Sequence, residues 1–193
     1  MKHLWRLIFL ASSIWSAHAA TKEQDQTVFL FQNRKVVISV PAGLGFSSEK
    51  AENGAMVVRV ADKKETVSLS ITFLPDPEER FTSARTRKEF MAENFRAYVD
   101  NSVEKAMQFE ELEPKTGAGT YCVFTDASLV GKSKPPRGEF LQSTAGVKAW
   151  PGVIAVFSLF SNDTTAKEYR ALMTMLRESV QESAGVPPAL AKP

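Results

Sequence analysis

The segment 153–160 constrains the fold more than any other part of the sequence. It reads Val-Ile-Ala-Val-Phe-Ser-Leu-Phe, so both of its alternating faces are apolar. A strand with two apolar faces must be covered on both sides, whereas a strand at a surface alternates apolar and polar side chains. We therefore predict a central strand here, in a sheet that carries a packed layer on each face.

Strand-like segments and two helical segments surround this strand. Alternation or β-rich composition predicts strands at 28–32, 35–40, 56–61, 67–73, 107–113, 119–130 and 139–149, and Pro75 is expected to end the fourth of them. A period of 3.6 predicts one amphipathic helix from Thr82 to about Asn101 and another up to Val180, with a capping box at 165–168. The predicted fold class is α+β: an α/β sandwich with a mostly antiparallel sheet flanked by two amphipathic helices.

The first 20 residues have the composition of a cleavable export signal. A cationic start precedes a short apolar run, and Ala17, Ala19 and Ala20 lie in the small-residue region where cleavage is expected. The apolar run is much shorter than the roughly 20 residues of a membrane-spanning helix, so no permanent membrane anchor is expected. We expect an exported protein, periplasmic if the cell has an outer membrane and secreted otherwise. Residues 21–182 then form a single domain, followed by a disordered Pro/Ala-rich tail at 183–193.

Loss of this leader would remove both histidines of the chain together with Lys2 and Arg6, which lowers the 24 basic residues to 22 against 22 acidic ones. A net charge of about zero gives no support to a nucleic-acid partner. Without imidazole, Ser-His-Asp and Cys-His catalysis and histidine-containing zinc sites are excluded. The single Cys122, expected as a buried structural thiol, cannot form an internal disulfide or a cysteine metal cluster. We predict no catalytic residue, no cofactor and no metal.

The segment 131–138 is the first candidate binding site. It places Lys132, Lys134 and Arg137, with two prolines, between two strands. Such a stiffened basic loop could bind an anionic partner, for instance a phospholipid headgroup or an acidic protein. The alternative is a solvated hairpin loop without a partner.

Arg85 and Arg87, next to Lys88 at the start of the first predicted helix, form the second candidate. Cations at a helix N-terminus oppose the helix dipole, so they indicate a nearby anion or a carboxylate such as Glu89. The alternative is a charged outer helix face, because exposed ion pairs are weak.

The order of the predicted elements resembles that of the Mog1/PsbP-like α/β sandwich group, which includes small exported bacterial proteins of unknown function. The resemblance covers about 27–182: an opening hairpin into Val-Pro-Ala-Gly at 40–43, a strand pair, the long helix, a Gly-rich turn at 117–121, a closing hairpin and a last helix. It implies a binding or assembly factor, since one branch of that group acts on a GTPase and another on a photosynthetic complex. No functional residue of the group matches a position in this sequence.

We therefore expect an exported, non-enzymatic binding or assembly factor, monomeric or weakly oligomeric, that acts on a protein or envelope component through a sheet edge or the loop at 132–137. Two alternatives stay open. One is a hydrolase that uses carboxylates or Ser without histidine, and the other is a carrier of a small apolar ligand. A deep apolar pocket would favour the carrier or the enzyme, whereas an exposed apolar patch would favour the binding factor.

Overall fold

The computed structural model describes residues 23–31, 34–51, 54–132 and 134–183. The predicted leader, including Ala17, Ala19 and Ala20, and the predicted tail after Ser183 lie outside the described residues. Within these ranges the chain has ten strands, three α-helices and a short 3₁₀-helix at Arg80–Thr82. Their bounds are β1 Gln24–Phe29, β2 Arg34–Val40, β3 Gly45–Lys50, β4 Met56–Ala61, β5 Val67–Asp76, α1 Ala84–Asn94, α2 Arg96–Asn101, β6 Glu110–Glu111, β7 Ala118–Thr125, β8 Gln142–Trp150, β9 Gly152–Ser161, α3 Lys167–Glu178 and β10 Val180–Ser183.

The described strands form two antiparallel sheets. The larger has seven strands in the order β3-β4-β5-β9-β8-β7-β6, and the smaller has three in the order β1-β2-β10. β9 is the fourth of the seven strands and pairs with β5 from Ser161↔Val67 to Gly152↔Asp76. The prediction of a central strand at 153–160 is thus confirmed, and so is the α+β sandwich.

Each face of the larger sheet has its own covering layer. On one face, Met91 of α1 and the neighbouring Phe95 pack with Cys122, Phe124 and Ile154 of the sheet. On the other face, α3 and the smaller sheet bury a larger core; its members are Val36, Ile38, Leu69, Ile71, Phe73, Phe157, Leu172 and Met175. Full burial of one such side chain contributes roughly 1.5–3 kcal/mol, so the two layers dominate the stability of the fold.

The long helix predicted from Thr82 is interrupted. α1 ends at Asn94 and α2 begins at Arg96, with Phe95 between them in a non-helical conformation (φ −105°, ψ 18°). The Phe95 ring is buried and meets Phe90 and Tyr98 edge-on, at centroid distances of 6.4 and 5.9 Å. Tyr98 in turn stacks on Phe124 of β7 at a centroid distance of 5.6 Å, so the broken helix is packed on the sheet through its aromatic side chains.

Two strands were not predicted, because the sequence of one is mostly polar and the other continues a helical pattern. β3 has a single large apolar residue, Phe46, and forms the outer edge of the larger sheet beside β4. Val180, predicted in the last helix, begins β10 instead and pairs with Val37 of β2. The helix ends at Glu178 because Ser179 turns to an extended conformation (φ −56°, ψ 135°).

Other boundaries also differ from the prediction: the strand predicted at 28–32 is Gln24–Phe29, that at 119–130 ends at Thr125, and that at 139–149 begins at Gln142. β5 continues through Pro75 to Asp76, because the neighbouring β4 stops at Met56↔Phe73 and Pro75 therefore needs no hydrogen bond on that side. The strand predicted at 107–113 shrinks to Glu110–Glu111. The predicted capping box at Thr165 is absent: Ala166 is the N-cap of α3, and the Thr165 hydroxyl donates to Asp163 at 2.6 Å.

Candidate functional site: the lysine loops

The hairpin loop 62–66, between β4 and β5, is held in shape by Asp62. Its carboxylate accepts hydrogen bonds from the Thr66 backbone N–H and hydroxyl, both at 2.7 Å, and from the Val67 N–H at 3.2 Å. These bonds give the backbone N–H groups of Thr66 and Val67 an acceptor within the turn. Lys63 and Lys64 are left exposed at its tip.

The loop 126–141, between β7 and β8, is closed at its base and anchored along its length. The Asp126 N–H donates to the Leu141 carbonyl at 2.8 Å, and the Leu141 N–H donates to the Asn162 side chain at 2.8 Å. Leu129 is buried, and its carbonyl accepts from the Lys132 N–H at 3.1 Å. Most of the described loop residues beyond this anchor, Lys132 and Lys134 among them, are exposed, whereas Pro135, Phe140 and Leu141 are half-buried.

One ion pair joins the two loops. Arg137 Nε donates to Glu65 Oε2 at 2.8 Å, across 72 positions of sequence. The hydrogen bond from Arg137 and its positive charge lower the pKa of the Glu65 carboxyl below its ordinary value. Both loops leave the same end of the larger sheet, where Ser161 of β9 pairs with Val67 and with Gln142, so they form one continuous surface. The exposed Arg137–Glu65 pair adds a weak contact between them. We call loops 62–66 and 126–141 together the lysine loops.

Of the described side chains in the lysine loops, most of the carboxylates have bonding partners and most of the cations do not. The two segments contain five cations and four carboxylates. Asp62 and Asp126 accept bonds from backbone N–H groups, and Glu65 is paired with Arg137, which leaves Glu139 as the one carboxylate of the loops that makes no side-chain contact to a described residue. The lysines, by contrast, form no ion pair or hydrogen bond through their side chains within the described part of the chain; they are Lys63, Lys64, Lys132 and Lys134. The four lysines therefore project toward solvent, while Asp62 and Asp126 are half-buried and Glu65 and Glu139 are exposed.

An exposed apolar side chain accompanies these lysines. Val130 is 57% exposed and directly follows the buried Leu129. Val103, 53% exposed, lies at the same end of the sheet, since its N–H donates to the Thr125 carbonyl at 2.8 Å. These two are the exposed large hydrophobic residues among those that the structure describes.

The two candidate arginines at the start of α1 are not part of this surface. Arg85 pairs with Glu89 at 2.7 Å on an exposed turn of the helix. Arg87 is only 3% exposed, so its predicted position on the outer helix face is wrong. Its guanidinium donates to the carbonyls of Phe81 and Thr82, at 3.0 and 2.9 Å.

Two further bonds complete the surroundings of Arg87. Its Nε donates to the Thr120 hydroxyl at 2.9 Å, and its Nη2 to Glu111 at 3.1 Å. These bonds fasten α1 and the preceding turn to β6 and β7. A cation near a helix N-terminus is unfavourable, and from the sequence this indicated a nearby carboxylate. In the structure that carboxylate is Glu111.

A buried lysine that sequence analysis missed lies on the face of the larger sheet that α3 covers. Lys148 of β8 is 0% exposed, and its Nζ donates to the carbonyls of Leu176 and Ser179, both at 2.7 Å, and to the Ser179 hydroxyl at 3.0 Å. It thus caps the C-terminal end of α3, where a cation is favoured. Burial acts against the charge and lowers the pKa of Lys148 to about 7.

A cavity of about 10 Å³ adjoins Lys148, lined also by Ile38, Phe73 and Trp150. This volume holds about one water molecule and is too small for the apolar ligand that a carrier would hold there. Among the described residues, no group of three or more His, Cys, Asp and Glu side chains is placed to hold a metal ion.

The remaining polar side chains that suggest chemistry have structural partners. Tyr121 donates to Glu110 at 2.6 Å, and burial together with this carboxylate raises the pKa of Tyr121 to about 12. The prediction of a buried Cys122 is confirmed, since the residue is 0% exposed and burial raises the pKa of its thiol to about 12. A thiol with this pKa is a poor nucleophile at neutral pH.

Comparison with known proteins adds no assignment. Neither the models of known protein families nor the curated proteins include a match to this sequence. The resemblance to the Mog1/PsbP-like group therefore stays a prediction. Within the described ranges, no helix has the length and apolar composition needed to cross a membrane.

Proposed function

We propose that this protein is an exported, non-enzymatic binding or assembly factor that holds an anionic component of the cell envelope through the lysine loops. The observation that carries the proposal is that two lysine-bearing loops leave the same end of the larger sheet, where Arg137 and Glu65 form an ion pair between them. The resemblance to the Mog1/PsbP-like group favours a binding factor, and the leader-like composition of the first 20 residues favours export.

The state of the lysines favours binding to a partner. A cation that is already paired must give up its partner before it can bind another anion, and this exchange reduces the gain. The four lysines of the lysine loops have no such partner among the described residues, so their full charge is available. Charges grouped on one surface also raise the rate of encounter with an oppositely charged partner, more so at low salt.

The sheet edges fit the binding role less well. The outer strand β3 ends in the exposed residues Glu49 and Lys50, and β6, at the other edge, consists of Glu110 and Glu111. Charges on an edge strand discourage pairing with a further strand. We therefore assign the binding role to the loops.

Crosslinking in the native envelope tests the proposal. A photoreactive residue would replace Lys134 in the lysine loops or, as the control, Lys115, which is exposed at the opposite end of the sheet. We expect an envelope component to be captured from position 134 and not from position 115. Equal capture from both positions, or capture from 115 alone, would contradict the proposal.

A further inference from the structure

Resting on the proposed function, we infer that the partner of the lysine loops is the anionic phospholipid surface of a bilayer, with the Val130 side chain inserted among the headgroups. The binding is peripheral and reversible. Each lysine contacts the layer of headgroup phosphates as a point charge, and no individual lipid needs to fit a pocket.

The composition of the surface favours a bilayer over an acidic protein. Protein interfaces are enriched in aromatic residues and Arg and depleted in Lys. Among the described residues of the lysine loops, the cations without a side-chain partner are all lysines, whereas Arg137, the one arginine of these loops, is paired with Glu65. Lysine binds phosphate as a flexible point charge, which suits a fluid layer of headgroups better than a rigid carboxylate pattern.

The position of Val130 supports the same partner. Its neighbour Leu129 is 2% exposed and holds the chain against the sheet, so the 57% exposed Val130 is presented from a fixed base. An apolar tip at Val130, with only Val103 as a further exposed large hydrophobic residue among those described, is too small for the core of a protein interface. It is the arrangement expected for shallow insertion at a membrane surface, where apolar burial and attraction to anionic lipids add together.

The charge contribution gives the size of the expected effect. A lysine near an anionic membrane surface increases binding about five-fold, so removal of two lysines lowers it roughly thirty-fold. The attraction weakens as the screening length falls from about 10 Å at about 0.1 M salt to about 3 Å at about 1 M.

Vesicle sedimentation with a chain that begins at Thr21 tests the inference. The probes are vesicles of phosphatidylcholine alone and of phosphatidylcholine mixed with phosphatidylglycerol. The variant Lys132→Gln/Lys134→Gln is compared with Lys50→Gln/Lys115→Gln, which removes the same charge from two exposed lysines at the far end of the sheet. Val130→Ser tests the insertion separately.

We expect binding to the mixed vesicles only, a loss of roughly thirty-fold in the loop variant, a smaller loss in Val130→Ser, and little change in the control. No binding to mixed vesicles, or equal losses in both double variants, would overturn the inference. If vesicles fail to bind but the crosslinker at position 134 captures an envelope protein, the bilayer partner is refuted and the proposed function stands. If both measurements are negative, both fail.

Discussion

Replacement of the buried Lys148 by Met probes the interior of the sandwich. The ammonium group donates to the carbonyl oxygens of Leu176 and Ser179 and lies 4.5 Å from the centre of the Trp150 ring. Methionine is unbranched and apolar like the stem of lysine, is one atom shorter, and donates no hydrogen bond. The variant therefore keeps the packing and removes the charged cap from the end of α3.

The pH dependence follows from the pKa of Lys148, lowered by burial from its ordinary 10.5 to about 7 in the folded protein. Below pH 7 both states are protonated, and above 10.5 both are neutral. Between these values the unfolded chain binds more protons, so the free energy of unfolding rises with pH. From about pH 6 to about pH 9 the wild type should gain about 2.5 kcal/mol relative to Lys148→Met.

Urea unfolding of both proteins at several pH values measures this difference. Trp150 is the one tryptophan after residue 15, so in a chain that begins at Thr21 its fluorescence reports directly on the surroundings of Lys148. Other titrating groups are shared and cancel in the difference. A flat difference between about pH 6 and pH 9 would refute the reasoning, because the carbonyl oxygens at the end of α3 would then outweigh burial and keep the lysine charged in both states.

Three further substitutions or reactions test the packing. Arg87→Met should lower the free energy of unfolding by about 2 to 4 kcal/mol, because buried carbonyl acceptors lose their donor, whereas Arg85→Met should leave it nearly unchanged in the same urea titration. Gly146→Ala should destabilise by about 1 to 3 kcal/mol in thermal unfolding, since the new Cβ would lie 2.7 Å from the Thr120 carbonyl oxygen; a neutral effect would show that the site can expand. Cys122 should resist thiol reagents in the folded protein and react only in denaturant, and rapid native labelling would contradict its burial.

Local periodicity accounts for the parts of the fold that sequence analysis predicts. The central position of segment 153–160 is predictable because both of its faces are apolar. The alternation in 67–73 likewise predicts which face of β5 is buried. β3 gives no such signal, since its residues after Phe46 are exposed and polar. Val180 continues a helical pattern by spacing alone, but the turn at Ser179 and the partner strand β2 place it in a sheet.

Buried charges are the part of the interior that the sequence cannot disclose. Arg and Lys are rarely buried without specific partners, so Arg87 and Lys148 read as surface residues until those partners are known. For Arg87 the partners Thr120 and Glu111 lie 33 and 24 positions away, and for Lys148 the nearest lies 28 positions away. Tertiary structure decides these positions.

The sequence predicts one of the two loops of the candidate site. Lys132, Lys134 and Arg137 stand out as a basic, proline-stiffened segment, and the structure places them in one loop. The contribution of loop 62–66 was missed, because nothing local to Glu65 points to Arg137. The structure also removes Arg87 from the set of accessible cations and leaves Arg85 paired within its own helix.

The most direct test of the central claim is the binding of isolated cell envelopes by variants of each loop separately. If the lysine loops act as one surface, Lys63→Gln/Lys64→Gln and Lys132→Gln/Lys134→Gln should each weaken binding, both by roughly thirty-fold, and the control Lys50→Gln/Lys115→Gln should bind like the wild type. Loss confined to one loop, or losses no greater than that of the control, would contradict the account of a single binding surface joined by Arg137 and Glu65.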